Sequence, residues 1–171
     1  IAPCDTRLQV HRIAADTVIS AKGQLYTLPQ LLQDPAQADV YRDGLCLVFR
    51  LCPTDYHRFA FIDDGSWDTV VKIRGSYDSV NTFFVPGKIH ATNYREKTVL
   101  HTRNFGEVLH MEVGAMMIGK IVQIAPCPGQ YTRGQEKGYF EYGASTVILL
   151  IKKDTVEMDE DIIRQSADGV E

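Results

Sequence analysis

Gly138-Tyr139-Phe140-Glu141-Tyr142-Gly143-Ala144-Ser145-Thr146-Val147-Ile148-Leu149-Leu150-Ile151 sets a small, flexible Gly-Ala-Ser-Thr turn directly against an apolar strand. Working outward, Gly114, Gly119, Gly129 and Gly134 join Gly138 and Gly143 between strand-like runs, where the backbone must turn sharply at short intervals. Upstream, β-rich runs at 8–13, 17–20, 45–51, 69–74, 99–102, 107–113 and 120–124 are each bounded by Gly, Pro, Asp or Asn. Helical pattern is scarce: residues 28–33 form one short candidate, with Thr27 as cap and Pro29 in the first turn, and 159–165 form another. The expected fold is therefore mainly β, of the α+β kind: a compact antiparallel barrel or sandwich with a few short helices. No internal repeat or low-complexity linker divides 1–171, so one domain is expected, with the polar stretch 152–161 on its surface.

At 171 residues and 44% hydrophobic, the chain can bury a sizeable core without disulfides or metal. A net charge of -4 and the lack of any lysine or arginine run argue against nucleic acid as a partner. No apolar stretch approaches the ~20 residues needed to span a bilayer, and the beginning lacks the regions of a signal peptide. A soluble chain is expected. It starts at Ile1 without an initiator methionine, so an upstream segment carrying membrane attachment is expected to be missing. Cys4, Cys46, Cys52 and Cys127 form no CxxC pair, which fits a reducing cytoplasm better than a zinc site or a disulfide framework.

Two places carry groups suited to chemistry. Small residues before Ser145 let its hydroxyl approach the preceding carbonyl, the geometry an N-to-O acyl shift requires; the same residues also read as an ordinary turn into a strand. In Phe49-Arg50-Leu51-Cys52-Pro53-Thr54-Asp55-Tyr56-His57-Arg58-Phe59 an apolar strand runs into a proline turn and a polar-aromatic patch. His57 is its natural acid or base, or else a histidine satisfied at a strand end. His101 and His110 lack the spacing and carboxylate partners of a metal site and read as surface or strand residues, so no metal is assigned.

Three separated blocks resemble the phosphatidylserine decarboxylase family: 50–59, then Asn104-Phe105-Gly106-Glu107 through Val113-Gly114-Ala115, then Arg133-Gly134-Gln135-Glu136-Lys137-Gly138-Tyr139-Phe140 through Ser145-Thr146-Val147-Ile148. Weaker echoes are Ala2-Pro3-Cys4-Asp5 and Gly75-Ser76-Tyr77-Asp78-Ser79-Val80-Asn81. Their order and spacing match as well. The resemblance implies a zymogen that cuts itself between Ala144 and Ser145, giving a β chain of 1–144 and an α chain of 145–171 that stay in one folded unit with a hammerhead-like C-terminal part. It implies that Ser145 attacks the Ala144 carbonyl, that the ester undergoes β-elimination, and that hydrolysis leaves a pyruvoyl group and ammonia. That pyruvoyl, with no metal and no pyridoxal phosphate, would form a Schiff base with the substrate amine and accept the electrons released as carbon dioxide leaves. Phosphatidylserine in a membrane would become phosphatidylethanolamine, at the cytoplasmic face of the cell membrane and on a peripheral homodimer.

The resemblance further implies a relay in which Asp5 orients a histidine that takes the Ser145 proton. The family's second histidine aligns with Ala60, leaving only His57. Alanine accepts no proton, so self-cleavage is expected to be slow or absent, as in an engineered trap or a natural member with lost or rerouted processing. Thr6 and Ala144, each standing for a family glycine, add a Cβ where backbone freedom is useful. His57 is then the proton donor in decarboxylation, and Tyr77, Ser79 and Asn81 lie near the substrate pocket or form a turn before a loop. Rival readings are a pyruvoyl decarboxylase of a free amino acid, a biotinyl- or lipoyl-like carrier, and a degenerate binding domain. Residues 129–140 resemble a carrier hairpin, but Met116-Met117 hold no lysine between them.

Overall fold

The computed structural model describes residues 1–15, 17–21, 24–75, 93–114, 120–141 and 145–167. The strands are β1 (Arg7–Arg12), β2 (Val18–Ala21), β3 (Gln24–Thr27), β4 (Leu45–Leu51), β5 (Arg58–Ala60), β6 (Gly65–Trp67) and β7 (Val71–Ile73). There follow β8 (Arg95–Thr102), β9 (Gly106–Val113), β10 (Lys120–Gln123), β11 (Gly129–Tyr131), β12 (Glu136–Glu141) and β13 (Ser145–Ile151). The helices are α1 (Leu28–Leu32), α2 (Pro35–Val40) and α3 (Glu160–Ala167).

An eight-stranded sheet runs β1-β4-β13-β9-β8-β6-β11, with β7 sharing the β8 edge, and every pairing in it is antiparallel. Its end strands do not pair with each other. Among the described strands the sheet therefore stays open, and the sandwich form rather than the barrel is realised. β13 lies between β4 and β9, and all seven of its residues are buried. Its run of Val, Ile and Leu does not alternate with polar residues because both of its faces are covered.

Val147, Leu149 and Ile151 join one core with Leu45, Leu47, Phe49 and Leu51; Ile148 and Leu150 join the other with Cys46 and Val48. The first core is closed by the three-stranded sheet β10-β12-β5, through Ile121, Phe140 and Phe59, and by Phe61 stacked on Tyr131 at 3.8 Å between centroids. The second is closed by the β2-β3 hairpin and the short helices, through Ile19, Tyr26, Leu28, Leu31 and Leu32. Gly138 lets β12 lie close to β10, since a Cβ there would meet the Val122 carbonyl oxygen at 2.2 Å.

Strand β4 matches the expected 45–51, and β1, β9 and β10 lie within a residue of expectation. Strand β8 departs from it, starting at Arg95 rather than 99. Arg-Glu-Lys reads as a break in sequence, but all three residues are buried. Arg95 donates from Nε to the Leu31 carbonyl at 2.6 Å and from Nη2 to that of Gln30 at 2.9 Å, while Lys97 Nζ donates to that of Leu32 at 2.9 Å. Two cations thus satisfy the carbonyls that end α1, which lets a charged segment enter the interior. Strand β7 falls inside the expected 69–74, whereas β5, β6 and β11 have three residues each, too few to display a period. Helix α2 was not expected; Asp34 caps it, accepting from Gln37 N at 3.0 Å.

Candidate active site

Ser145 opens β13 opposite Leu51, the last residue of β4, and neither residue has any exposure. Directly paired residues share a face. The pairs Ser145–Leu51, Val147–Phe49 and Val147–Glu112 therefore put the Ser145 side chain on the face that carries Phe49, Leu51 and Glu112, toward the small sheet. A serine at the covered head of a central strand needs polar company, and its hydroxyl is well shielded from water.

Beyond Leu51 the chain makes a tight polar turn. The Asp55 carboxylate accepts from Cys52 N at 2.6 Å, and the Asp55 carbonyl oxygen lies 2.7 Å from His57 Nδ1. A carbonyl can only accept, so this contact places a proton on Nδ1 and leaves Nε2 as the ring nitrogen open to other chemistry. Nε2 is buried and has no hydrogen-bond partner among the described residues. The His57 carbonyl accepts from Phe140 N at 2.9 Å, which ties the turn to β12.

Asp5 is exposed and bonds to neither ring nitrogen of His57. Its neighbour Cys4 feels both Asp5 and Asp55: burial first, and then these two carboxylates, push the Cys4 thiol up to about 12. Ala60 N donates to the Pro3 carbonyl at 2.8 Å, and in β5 it sits opposite Glu136. The amino-terminal segment thus lies along the same turn as His57. Tyr77, Ser79, Asn81 and Ala144 lie outside the described residues.

Sequence reading passed over a second cluster on the Ser145 face. Glu112 of β9 and Lys137 of β12 have no side-chain exposure and stand 2.5 Å apart. Gln123 of β10 joins them, accepting from Lys137 Nζ at 3.0 Å and donating to Glu112 at 3.2 Å and to Glu96 at 3.0 Å. Lys137 Nζ also lies 4.8 Å from the centre of the Trp67 ring. His110, two residues before Glu112, is wholly buried in β9; its Nδ1 is 2.8 Å from the carboxylate without the alignment of a hydrogen bond. Burial would raise the Glu112 pKa, but the charge and hydrogen bond of Lys137, with the His110 imidazole beside the carboxylate, outweigh it and hold the carboxyl well below its usual range. Burial drives the His110 pKa down against the pull of Glu112. The available signal was a charged residue at an inward position of an alternating strand, as in Val108, His110, Glu112.

The family model for phosphatidylserine decarboxylase matches residues 1–168. The chain belongs to the phosphatidylserine decarboxylase family. It is 44% identical to the phosphatidylserine decarboxylase proenzyme of Clostridium perfringens (strain SM101 / Type A), 45% to that of Clostridium novyi (strain NT) and 43% to that of Clostridium tetani (strain Massachusetts / E88). Each alignment takes in 100% of this chain and 59% of the relative, so the decarboxylase-family chain spans about three-fifths of their length. Among its described residues no helix is long and apolar enough to cross a membrane, and no group of three or more His, Cys, Asp or Glu could hold a metal ion. Ser145 stands in a layer shielded from solvent, and the turn that follows its partner strand holds the buried, unpartnered Nε2 of His57.

Proposed function

We propose that this chain is the core of a pyruvoyl-dependent decarboxylase that converts phosphatidylserine to phosphatidylethanolamine and carbon dioxide after cutting itself between Ala144 and Ser145. The observation that carries the reading is the complete burial of Ser145 at the head of β13, on the inner face of the sheet, in a chain of this family. In the first step the Ser145 Oγ bonds to the Ala144 carbonyl carbon, the C–N bond breaks, and the hydroxyl proton passes to the departing nitrogen. Loss of the Ser145 Cα proton and of the Ala144 carboxylate, followed by hydrolysis with release of ammonia, completes the group. A pyruvoyl group held at residue 145 would supply a carbonyl for the substrate amine and an electron sink for the pair released with carbon dioxide.

Loss of carbon dioxide leaves an electron pair that takes up one proton, and His57, held by the Asp55 carbonyl at Nδ1, is assigned to deliver it from Nε2 after taking it up there earlier in the cycle. Asp5, which bonds to neither ring nitrogen of His57, is assigned the carboxylate that orients the relay histidine restored in Ala60→His, and Tyr77, Ser79 and Asn81 the substrate contacts. With Ala60 where the family has a relay histidine, processing of this chain is slow, and Ala60→His accelerates it. A bilayer lipid as substrate places the work at a membrane surface, as for a peripheral protein.

The test follows two fragments on a denaturing gel for the parent, Ala60→His and Ser145→Ala, and then amine production from phosphatidylserine vesicles against free serine. Fragments that depend on Ser145, with activity on vesicles, support the reading. Their absence from both the parent and Ala60→His overturns it, and activity on free serine alone transfers it to a soluble amino acid.

A further inference from the structure

Glu112 touches both arms of the chain that flank the proposed cleavage. Its backbone pairs with Val147, two residues after Ser145 on β13. Its carboxylate holds Lys137, on β12, which leads through Glu141 toward that cleavage. Between Glu141 and Ser145 lie only residues 142–144, so the two arms end at most about 14 Å apart. Gln123 braces the same bond from β10, where it pairs with Gly138 while its amide contacts both charges.

We propose that Glu112, through Lys137, is a positioning residue for self-cleavage: it holds the upstream arm of the scissile link in fixed register with the strand that carries the Ser145 hydroxyl. This inference rests on the proposed reading. A buried ion pair contributes little stability that apolar residues of equal volume would not, and the rest of this interlayer is joined by such residues, Phe59, Ile121 and Phe140 among them. What the pair adds is a short, directional bond between β9 and β12. Attack of a hydroxyl on a neighbouring carbonyl depends steeply on such alignment: a misplacement of about 1 Å costs up to 100-fold. Arg95, also wholly buried, holds the carbonyls that end α1 on the opposite face of the sheet and touches neither arm, which makes it an internal control.

The experiment measures the rate of fragment formation in the full-length protein, in whichever of the parent and Ala60→His cleaves faster. Into it are placed Glu112→Gln, Glu112→Asp, Lys137→Met, the double Glu112→Gln/Lys137→Met, and Arg95→Met, each with its melting temperature. Cleavage is expected to slow about 10- to 100-fold in Glu112→Gln and Lys137→Met, with the double no slower than the slower single because both remove one bond. Arg95→Met should cleave at close to the parent rate even where its melting temperature falls as far. Should Glu112→Gln fail to fold, Glu112→Asp, which keeps the charge and shortens the reach, must show the same slowing at an unchanged melting temperature. Parent-like cleavage in folded Glu112 and Lys137 variants, or rates that simply follow melting temperature through Arg95→Met, overturns the inference alone. Absence of any Ser145-dependent cleavage removes it together with the proposed function.

Discussion

Ser145 and Leu51 face each other across β13 and β4, both wholly shielded from solvent. The serine hydroxyl is therefore an interior group whose fold contribution and chemistry can be separated. Ser145→Ala removes one oxygen and leaves the strand register intact, so unfolding free energy should change by about 1 kcal/mol, while fragments disappear altogether. Denaturant melts run beside gels check both halves.

Gly138→Ala should destabilise by about 2 kcal/mol or more. The added Cβ would meet the Val122 carbonyl at 2.2 Å and the Phe59 ring at 2.8 Å, and the first of these is backbone that cannot swing aside. A melting temperature within a degree of the parent would contradict this contact.

Arg95→Met should cost about 3 kcal/mol, because the carbonyls that end α1 lose a charged donor inside the protein. Arg95→Lys should not restore the loss: one ammonium cannot reach both Gln30 and Leu31 in the fork that the guanidinium provides. Chemical denaturation of the two variants decides it.

Acid should weaken the fold in two stages. The folded state keeps His110 neutral below its free value of 6.5, so the unfolded chain binds a proton that the native one refuses, and stability falls as pH drops through that range. Burial lowers the His11 pKa in the same sense. Glu112 is held below its ordinary value, so its contribution is complete above about 4.3 and is lost as pH falls from there toward its native pKa. Melting temperature should therefore decline between pH 7 and 5.5 and again below pH 4.5, values set by those ordinary ranges. His110→Gln should flatten the first decline, and an unchanged profile would count against it.

Alkylation should rank the thiols. Burial pushes Cys46 up to about 12, and burial with the Asp5 and Asp55 charges does the same for Cys4, so at pH 8 only a trace of either is thiolate. Cys127 is exposed and should be modified first by iodoacetamide. Peptide mass analysis over time reports the order, and early loss of Cys46 would contradict its burial.

How far sequence alone reaches is clearest in β4, β9 and β13. Their runs of large apolar residues are long enough to set a period or fill two faces; β4 and β9 match the expected strands almost residue for residue, and β13 takes in the expected apolar strand together with the Ser-Thr read as turn. Ser145 stands out because it sits at the head of such a run next to small residues, and His57 because it follows a proline turn. Glu112, Lys137 and Arg95 read in isolation as exposed charges. They come from strands or helices far apart in the chain, so their mutual neutralisation is invisible until the sheets are stacked.

By itself, then, the amino-acid order determined the antiparallel β character, the family, and the serine around which the chemistry is proposed, since each depends on local pattern or on residues near one another in the chain. Tertiary structure alone decided that the large sheet stays open, that three charged strand residues could enter the interior, and that Glu112 bridges the arms on either side of residues 142–144. The reason is energetic: a buried charge is tolerated only beside its partner, and the fold brings that partner from another strand.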